Sequence, residues 1–393
     1  MRPELFVTFN AGSSSLKAGV FTQDGDLKES GRLKIEFNAA SPEICGTLDG
    51  DDIRMAARDT GSDAIVSAVK QILELTAERM AIAPTAVGHR VVHGGLTFNG
   101  PVLLNEGNID GIEKLVPLAP LHQPQALRVI RTVAAIDPSL PQVASFDTAF
   151  HSTQADLVKR FAIPKALHED GVRRYGFHGL SYKYVARRLA ELDAAAGAGR
   201  VVAAHLGSGA SICAMIGGRS RDTSMGFSAL DGIPMATRPG WIDPGALTYL
   251  MRQGMRHPDR IEQFLYHECG LLGVSGISGD TRDLLKDPSF EASEAVELFC
   301  LRIAGEIARQ ASTIDGVETV IFTAGIGEHQ PEIRGRIAQR LGWLGLELDD
   351  GANEANAATV SAARSRIKAL VIPTDEELVI AEETISVLSQ NKR

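Results

Sequence analysis

The stretch Leu5-Phe6-Val7-Thr8-Phe9-Asn10-Ala11-Gly12-Ser13-Ser14-Ser15-Leu16-Lys17 constrains this chain most, because its order of residue types recurs about half a chain later. The apolar run before Asn10 predicts a buried strand. Gly12 permits a backbone bend that other residues resist, and Leu16 to Phe21 restarts a strand after the turn. Backbone amides and hydroxyls at such a tip form a concave anion site, to which Lys17 adds a mobile positive charge. Val201-Val202-Ala203-Ala204-His205-Leu206-Gly207-Ser208-Gly209-Ala210-Ser211-Ile212 repeats the order of apolar strand, polar residue, spacer, Gly-Ser and resumed strand, with Asn10 and His205 in equivalent places. The repeat predicts two related domains whose loops face one nucleotide. A third loop, Val320-Ile321-Phe322-Thr323-Ala324-Gly325-Ile326-Gly327-Glu328, again follows a β-type run and offers two glycines for close ligand approach. The chain has no Gly-x-x-x-x-Gly-Lys-Ser/Thr, and neither Gly207-Ser208-Gly209 nor Gly325-Ile326-Gly327 completes a dinucleotide fingerprint. The phosphate clamp expected here therefore has another architecture.

A chain of 393 residues, 44% hydrophobic and 23% charged, fits two globular domains. Its net charge of -9 disfavours nucleic acid as a partner and leaves a small anion as the expected guest. Cys45, Cys213, Cys269 and Cys300 form no Cys-x-x-Cys, so they are read as reduced, mostly buried thiols. The N-terminus enters a strand almost at once without a signal-peptide pattern, and no apolar run reaches membrane-spanning length. These features predict a cytoplasmic protein with no membrane partner.

Alternating strands and helices make residues 1–150 an α/β domain. A helix is expected over Asp63–Met80, capped by Ser62, with Ile65, Val69, Ile72 and Leu73 on one face. Val87–Val92 and Val143–Phe146 read as strands, and Pro124 opens a helix carrying Leu127, Ile130 and Val133. Ser181 is expected to cap a helix through Leu192, followed by a flexible connector over Ala194–Gly199. Glu294–Ala311 reads as a long helix along the seam between domains. Pro331 starts another, Ala369–Ile372 is a strand, and Glu377–Leu388 is a helix that packs back on the first domain. Asn391-Lys392-Arg393 reads as a solvated tail.

Taken together, Asn10–Lys17, His89-Arg90-Val91-Val92-His93-Gly94-Gly95, Ala119-Pro120-Leu121-His122, Phe146-Asp147-Thr148-Ala149-Phe150-His151 and Tyr175-Gly176-Phe177-His178-Gly179 resemble the acetate kinase family in order and spacing. So do Gly273-Val274-Ser275-Gly276-Ile277-Ser278, Phe322–Glu328 and Ile372-Pro373-Thr374-Asp375-Glu376-Glu377. The resemblance spans nearly the whole chain. It implies an α/β, duplicated ribonuclease-H-like fold of the acetate and sugar kinase and actin-like ATPase superfamily, with an active-site cleft between two domains. The expected division is residues 1–150 joined by 375–393, and residues 151–374 as the nucleotide-binding domain. The implied reaction is reversible transfer of the γ-phosphoryl of ATP to acetate, giving acetyl phosphate and ADP, with Mg²⁺, or Mn²⁺ in its place, by a homodimer.

By the same resemblance Arg90 binds the substrate carboxylate, while Arg238 and His178 stabilise the transition state, where phosphoryl transfer depends on alignment and positive charge. Asp147 matches the family's catalytic acid/base. A carboxylate acceptor, however, titrates near ~4 and needs no base at neutral pH, so Asp147 is expected to orient groups or help organise Mg²⁺. Asn10 and Glu376 match the metal positions, and Val92, Leu121, His122 and Phe177 the acyl pocket. Lys17, His205, Leu206, Gly207, Ser208, Gly209, Asp280, Thr281, Arg282, Gly325, Ile326, Gly327, Glu328 and His329 match the nucleotide loops. His89 and His93 have metal-like spacing but no companion carboxylate pattern, so they are read as structural; His151 and His257 receive no role.

The chain departs from the family pattern at several places. Ser208, His329 and Asp375 stand where the family has Asn, Ala229 replaces a proline beside the acyl pocket, and Pro239 and Trp241 alter the segment around Arg238. Propionate and butyrate kinases, and an actin-like ATP-binding switch without acyl chemistry, stay open as alternatives on these residues.

Overall fold

The structure, a computed structural model, describes residues 3–12, 15–61 and 63–391. Among these, β1 (Glu4–Ala11), β2 (Ser15–Asp24), β3 (Asp26–Glu36), β4 (Glu43–Leu48), β5 (Asp51–Ala56), β6 (Ala86–Val91), β7 (Val102–Leu103) and β8 (Gln142–Phe146) form one sheet, in the order β5-β4-β3-β2-β1-β6-β8-β7. β9 (Arg200–Leu206), β10 (Ala210–Ile216), β11 (Arg219–Thr223), β12 (Thr319–Thr323) and β13 (Lys368–Val371) form a second, in the order β11-β10-β9-β12-β13. In each sheet an antiparallel meander of three strands is extended by two parallel strands, so β3-β2-β1-β6-β8 matches β11-β10-β9-β12-β13 strand for strand. This is the duplicated ribonuclease-H-like fold that the family resemblance implies, and it agrees with the repeated hairpin. Each sheet belongs to its own compact unit: Met1–Phe150 with Asp375–Arg393, and His151–Thr374.

β1 is buried from Leu5 to Ala11 because both of its faces are covered. Leu5, Val7 and Phe9 point into a core shared with Ile65, Val69 and Ile72 of the helix Ala64–Met80 and with Val129 and Val133 of the helix Gln123–Ile136. Phe6 points the other way, into a cluster with Phe21, Ala86 and Ala381, the last from the helix Glu376–Asn391. That helix lies close on the sheet because Gly88 has no side chain: a Cβ there would stand 2.5 Å from Thr384 Oγ1 and 2.6 Å from Ile380 Cγ2. Close seating brings the first turn of the helix to the end of β1.

Some elements differ from expectation. Ser62, the expected cap, and Ser13, Ser14, Lys392 and Arg393 lie outside the described residues; the helix begins at Ala64 after Asp63, which makes no side-chain cap bond. Ser181 sits inside the helix Gly179–Leu192 rather than before it, and His178 occupies the cap position with φ 57° and ψ 26°. Ala194–Ala198 is a short helix, not a flexible connector: alanine carries the best helix propensity, and the Asp193 side chain accepts from Ala196 N at 3.0 Å. The third glycine segment is a helix, Ala324–His329, directly after β12. The long helix spans Phe290–Thr313, is capped by Ser289, and packs on β9, β10 and β11 of its own unit.

Candidate functional site

In the first unit the strand register aligns the candidate residues. Asn10 pairs with Lys17 across the β1–β2 hairpin, and Phe9 pairs with His89, which sets Asn10 beside Arg90. The tip is closed by a Gly12 N–H donating to the Ser15 carbonyl at 2.8 Å. Lys17 is exposed, whereas Asn10 is buried. Asp147 follows β8 immediately and is fully buried; the Arg90 guanidinium meets it side-on, Nη2 donating to Oδ2 at 2.6 Å and Nε reaching both oxygens at 3.1 and 3.2 Å. Arg90 Nη1 donates to Asn10 Oδ1 at 3.0 Å. Among the described residues three of the five guanidinium N–H groups are thus committed, which leaves one on each terminal nitrogen. Burial alone would lower the Arg90 pKa, but the charges of Asp147, Glu376 and Glu377 outweigh it and hold the guanidinium above its ordinary range.

The amide of Asn10 donates to Glu376 Oε2 at 2.9 Å and to Glu377 Oε1 at 3.2 Å. Residues from opposite ends of the sequence therefore meet at one spot. Their donor atoms suit Mg²⁺: hard carboxylate and amide oxygens, few in number, as expected where waters and phosphates complete the shell. An amide oxygen has two lone pairs, so accepting from Arg90 leaves one for a cation. No cluster of three or more His, Cys, Asp or Glu that would form an all-protein cage occurs among the described residues. Of the expected acyl-pocket residues in this unit, Val92 is buried, while Leu121 and His122 are half-buried around the start of the helix Gln123–Ile136. His89 and His93 do not converge on a common ligand. His89 Nε2 lies 2.7 Å from the Gln142 side-chain amide, whereas His93 Nδ1 accepts from Gly95 N at 2.9 Å.

In the second unit, His178 and His205 stack with ring centroids 4.2 Å apart. Ser211 Oγ lies 2.8 Å from His178 Nδ1 and 2.6 Å from the Tyr182 hydroxyl, and Ser181 Oγ lies 2.8 Å from His205 Nδ1. These bonds leave His178 Nε2 aimed toward Gly209. A Cβ at Gly209 would stand 3.4 Å from His178 Nε2 and 3.9 Å from Arg238 Nη1, so His178, Arg238 and the glycine tip converge on one small space. Arg238 lies over the Tyr266 ring at 5.5 Å, and its Nη1 donates to the Ala229 carbonyl at 3.3 Å. Its loop is firmly tied: Met235 N donates to the Arg238 carbonyl at 3.0 Å, Cys269 N to the Thr237 carbonyl at 3.1 Å, and Ala236 N to the Ser208 carbonyl at 3.3 Å. Trp241 points out to solvent while its backbone N–H donates to the Gly232 carbonyl at 2.7 Å. Phe177 belongs to this unit and is buried.

The remaining nucleotide candidates divide by orientation. Leu206 is buried at the end of β9, and Ser208 is exposed at the hairpin tip. Asp280 caps the turn Thr281–Leu284 and pairs with the exposed Arg282, while the Thr281 hydroxyl is buried without a hydrogen-bond partner among the described residues. Gly325 is open to solvent, Ile326 half-buried and His329 exposed. Gly327 instead packs on the end of β12, where a Cβ would stand 3.2 Å from the Phe322 carbonyl carbon. Glu328 turns back on the protein: its Oε1 accepts from Ala324 N at 2.7 Å and from Thr374 N at 3.1 Å. Arg334, fully buried, donates to the Gly327 and Glu328 carbonyls at 2.9 and 3.1 Å and fixes this short helix from below.

Sequence reasoning missed Ser181, Ser211, Glu377 and Tyr266 as site supports. Ser211 was accessible from the repeat, since it pairs with His205 as Lys17 pairs with Asn10. Tyr266 had no local signal.

Residues 5–382 match the profile of the acetokinase family. The acetate kinase of Nitrobacter hamburgensis is 45% identical, covering 96% of this chain and 95% of that protein. That of Rhizobium meliloti is 43% identical over 98% and 99%. Among solved structures, a propionate kinase from Francisella tularensis superposes with a TM-score of 0.89 at 34% identity, over 98% of this chain and 100% of that one. Porphyromonas gingivalis acetate kinase superposes at 0.86 with 32% identity, over 98% and 100%.

Proposed function

Because this chain belongs to the acetokinase family across residues 5–382, we propose that it catalyses reversible phosphoryl transfer from ATP to acetate, giving acetyl phosphate and ADP. It is a phosphotransferase whose acceptor is a carboxyl group. An acetate oxygen attacks the γ-phosphorus, the bond from that phosphorus to the β,γ-bridging oxygen breaks, and ADP leaves with the electron pair. No proton has to move, because the acceptor is already ionised. The observation that carries this reading is Arg90, a half-buried guanidinium anchored on one edge by Asp147, with two N–H groups uncommitted among the described residues. In that role Arg90 binds the acetate carboxylate and Asp147 holds Arg90 in place.

Val92, Leu121 and Phe177 give the acyl methyl its apolar surroundings, and His122 adds a polar edge. Arg238 and His178 stabilise the charge that spreads over the equatorial oxygens during transfer. Lys17, the hairpin tip His205–Gly209, Asp280–Arg282 and Gly325–His329 bind the nucleotide. Asn10 and Glu376 hold Mg²⁺, which when bound neutralises charge on the phosphates. Alanine at position 229, in place of the family's proline, widens acceptance toward propionate, a reading that the likeness to the Francisella propionate kinase also favours. Hydroxylamine trapping of acyl phosphate, with ATP and acetate, propionate or butyrate, tests the proposal. Acyl hydroxamate from acetate and propionate is expected; preference for butyrate moves the protein to the butyrate kinases, and no hydroxamate from any acid overturns the reading.

A further inference from the structure

We propose that His151, to which the mechanism above gives no part, is a positioning residue that holds the Phe177–His178 turn for phosphoryl transfer; the proposal rests on the acyl kinase reading. His151 is buried, and both ring nitrogens are engaged: Nε2 lies 2.9 Å from the Phe177 carbonyl oxygen and Nδ1 2.9 Å from Ser220 Oγ. A carbonyl can only accept, so Nε2 carries the proton and Nδ1 accepts from the Ser220 hydroxyl. Gln154 Nε2 donates to Ser220 Oγ at 3.0 Å, which turns the hydroxyl proton toward the ring. The tautomer is therefore set by the Phe177 carbonyl on one side and by the Ser220 and Gln154 side chains on the other. Burial pushes the ring down to about 4, so it stays neutral over the pH range in which the donor is needed.

The turn it holds is one that the backbone does not keep unaided. Gly176 has φ 83° and His178 φ 57°, the second a left-handed conformation in a residue with a full side chain. The His151 ring fills the space beside Gly176, where a Cβ would stand 2.6 Å from its Cδ2. The Tyr175 N–H donates to the Gly226 carbonyl at 2.9 Å and supports the turn from its start, but the carbonyl between Phe177 and His178 is tied by His151. Rotation of that peptide would swing the Phe177 ring, assigned to the acyl pocket, and the His178 imidazole, assigned to the phosphoryl group. His151 therefore governs both the rate and the choice of acyl chain without touching either reactant.

The test compares wild type with His151→Leu and His151→Gln by hydroxamate formation from acetate and propionate. In His151→Leu, kcat with acetate is expected to fall about tenfold and the propionate-to-acetate ratio of kcat/KM to shift about threefold or more, with KM for ATP within about twofold of wild type. The ratio does not depend on how much of the variant is folded. Glutamine keeps an N–H that reaches the carbonyl, so His151→Gln is expected to recover kcat to within about threefold. Should His151→Leu yield no folded protein, His151→Asn, too short to reach the carbonyl, carries the same comparison. An unchanged ratio, or a glutamine variant as impaired as the leucine one, overturns the proposal. Wild-type protein that forms no acyl hydroxamate overturns the acyl kinase reading instead, before any variant is measured.

Discussion

At Asp147 both carboxylate oxygens accept from the Arg90 guanidinium, and the side chain is fully buried. In the proposed role it anchors Arg90, and there its charge matters more than its shape. Replacing it by asparagine leaves the half-buried Arg90 beside a neutral amide, and breaking a buried pair costs on the order of 3 kcal/mol. Asp147→Asn is expected to lose that much stability in denaturant titration and to lower kcat/KM for acetate by roughly a hundredfold or more. Full activity in this variant would remove Asp147 from the mechanism. At this scale the sequence was readable where a residue sits inside a motif, as Arg90, His178 and Arg238 do. It was silent where a partner is set by strand register or by a distant turn. Ser181 looked like a helix cap because serine is a good one, yet its hydroxyl serves His205.

The helix Glu376–Asn391 is the element on which the metal candidates depend. Glu376 and Glu377 reach Asn10 only because the helix sits low on β6, and Gly88 allows it to. Gly88→Ala would drive a methyl into Thr384 and Ile380, an overpacking that costs roughly 1–3 kcal/mol. The expected result is a lower melting temperature together with a higher Mg²⁺ concentration for half-maximal activity. Shortening the opposing side chain in Gly88→Ala/Thr384→Ala is expected to restore part of both. Melting that falls with an unchanged Mg²⁺ requirement would separate the seating of the helix from the site. Element types were legible from periodicity, since Ile65, Val69 and Ile72 do line one buried face. The short helices Ala194–Ala198 and Ala324–His329 were not, because glycine-rich runs of five or six residues carry no period to read.

For the molecule as a whole, the repeated hairpin was the decisive signal: two polar residues after apolar strands marked β1 and β9, and each sheet grew around its own copy in the same strand order. The extra strands β4, β5 and β7 left no comparable mark, being short additions at the edges of one sheet. A property spread over both units is the response to acid. Burial pushes His89, His93 and His151 from 6.5 down to about 4. Below pH 6.5 the unfolded chain takes up protons that the folded chain refuses until about 4, so stability falls as pH drops through that window. Each ring contributes up to about 3 kcal/mol over its full range. Thermal midpoints are expected to decline steadily between about pH 6.5 and 4.5, and His89→Gln to flatten part of that decline. Midpoints independent of pH would show that these rings accept protons in place.

The helix that covers Phe6, Phe21 and Ala86 follows residues 151–374 in the chain. During synthesis on the ribosome, the first sheet must wait with one greasy side bare until the entire other unit has emerged, a natural opening for chaperones. The Glu376 carboxylate proposed for the metal emerges only after residues 151–374, so a nascent chain lacks it until that unit has been made.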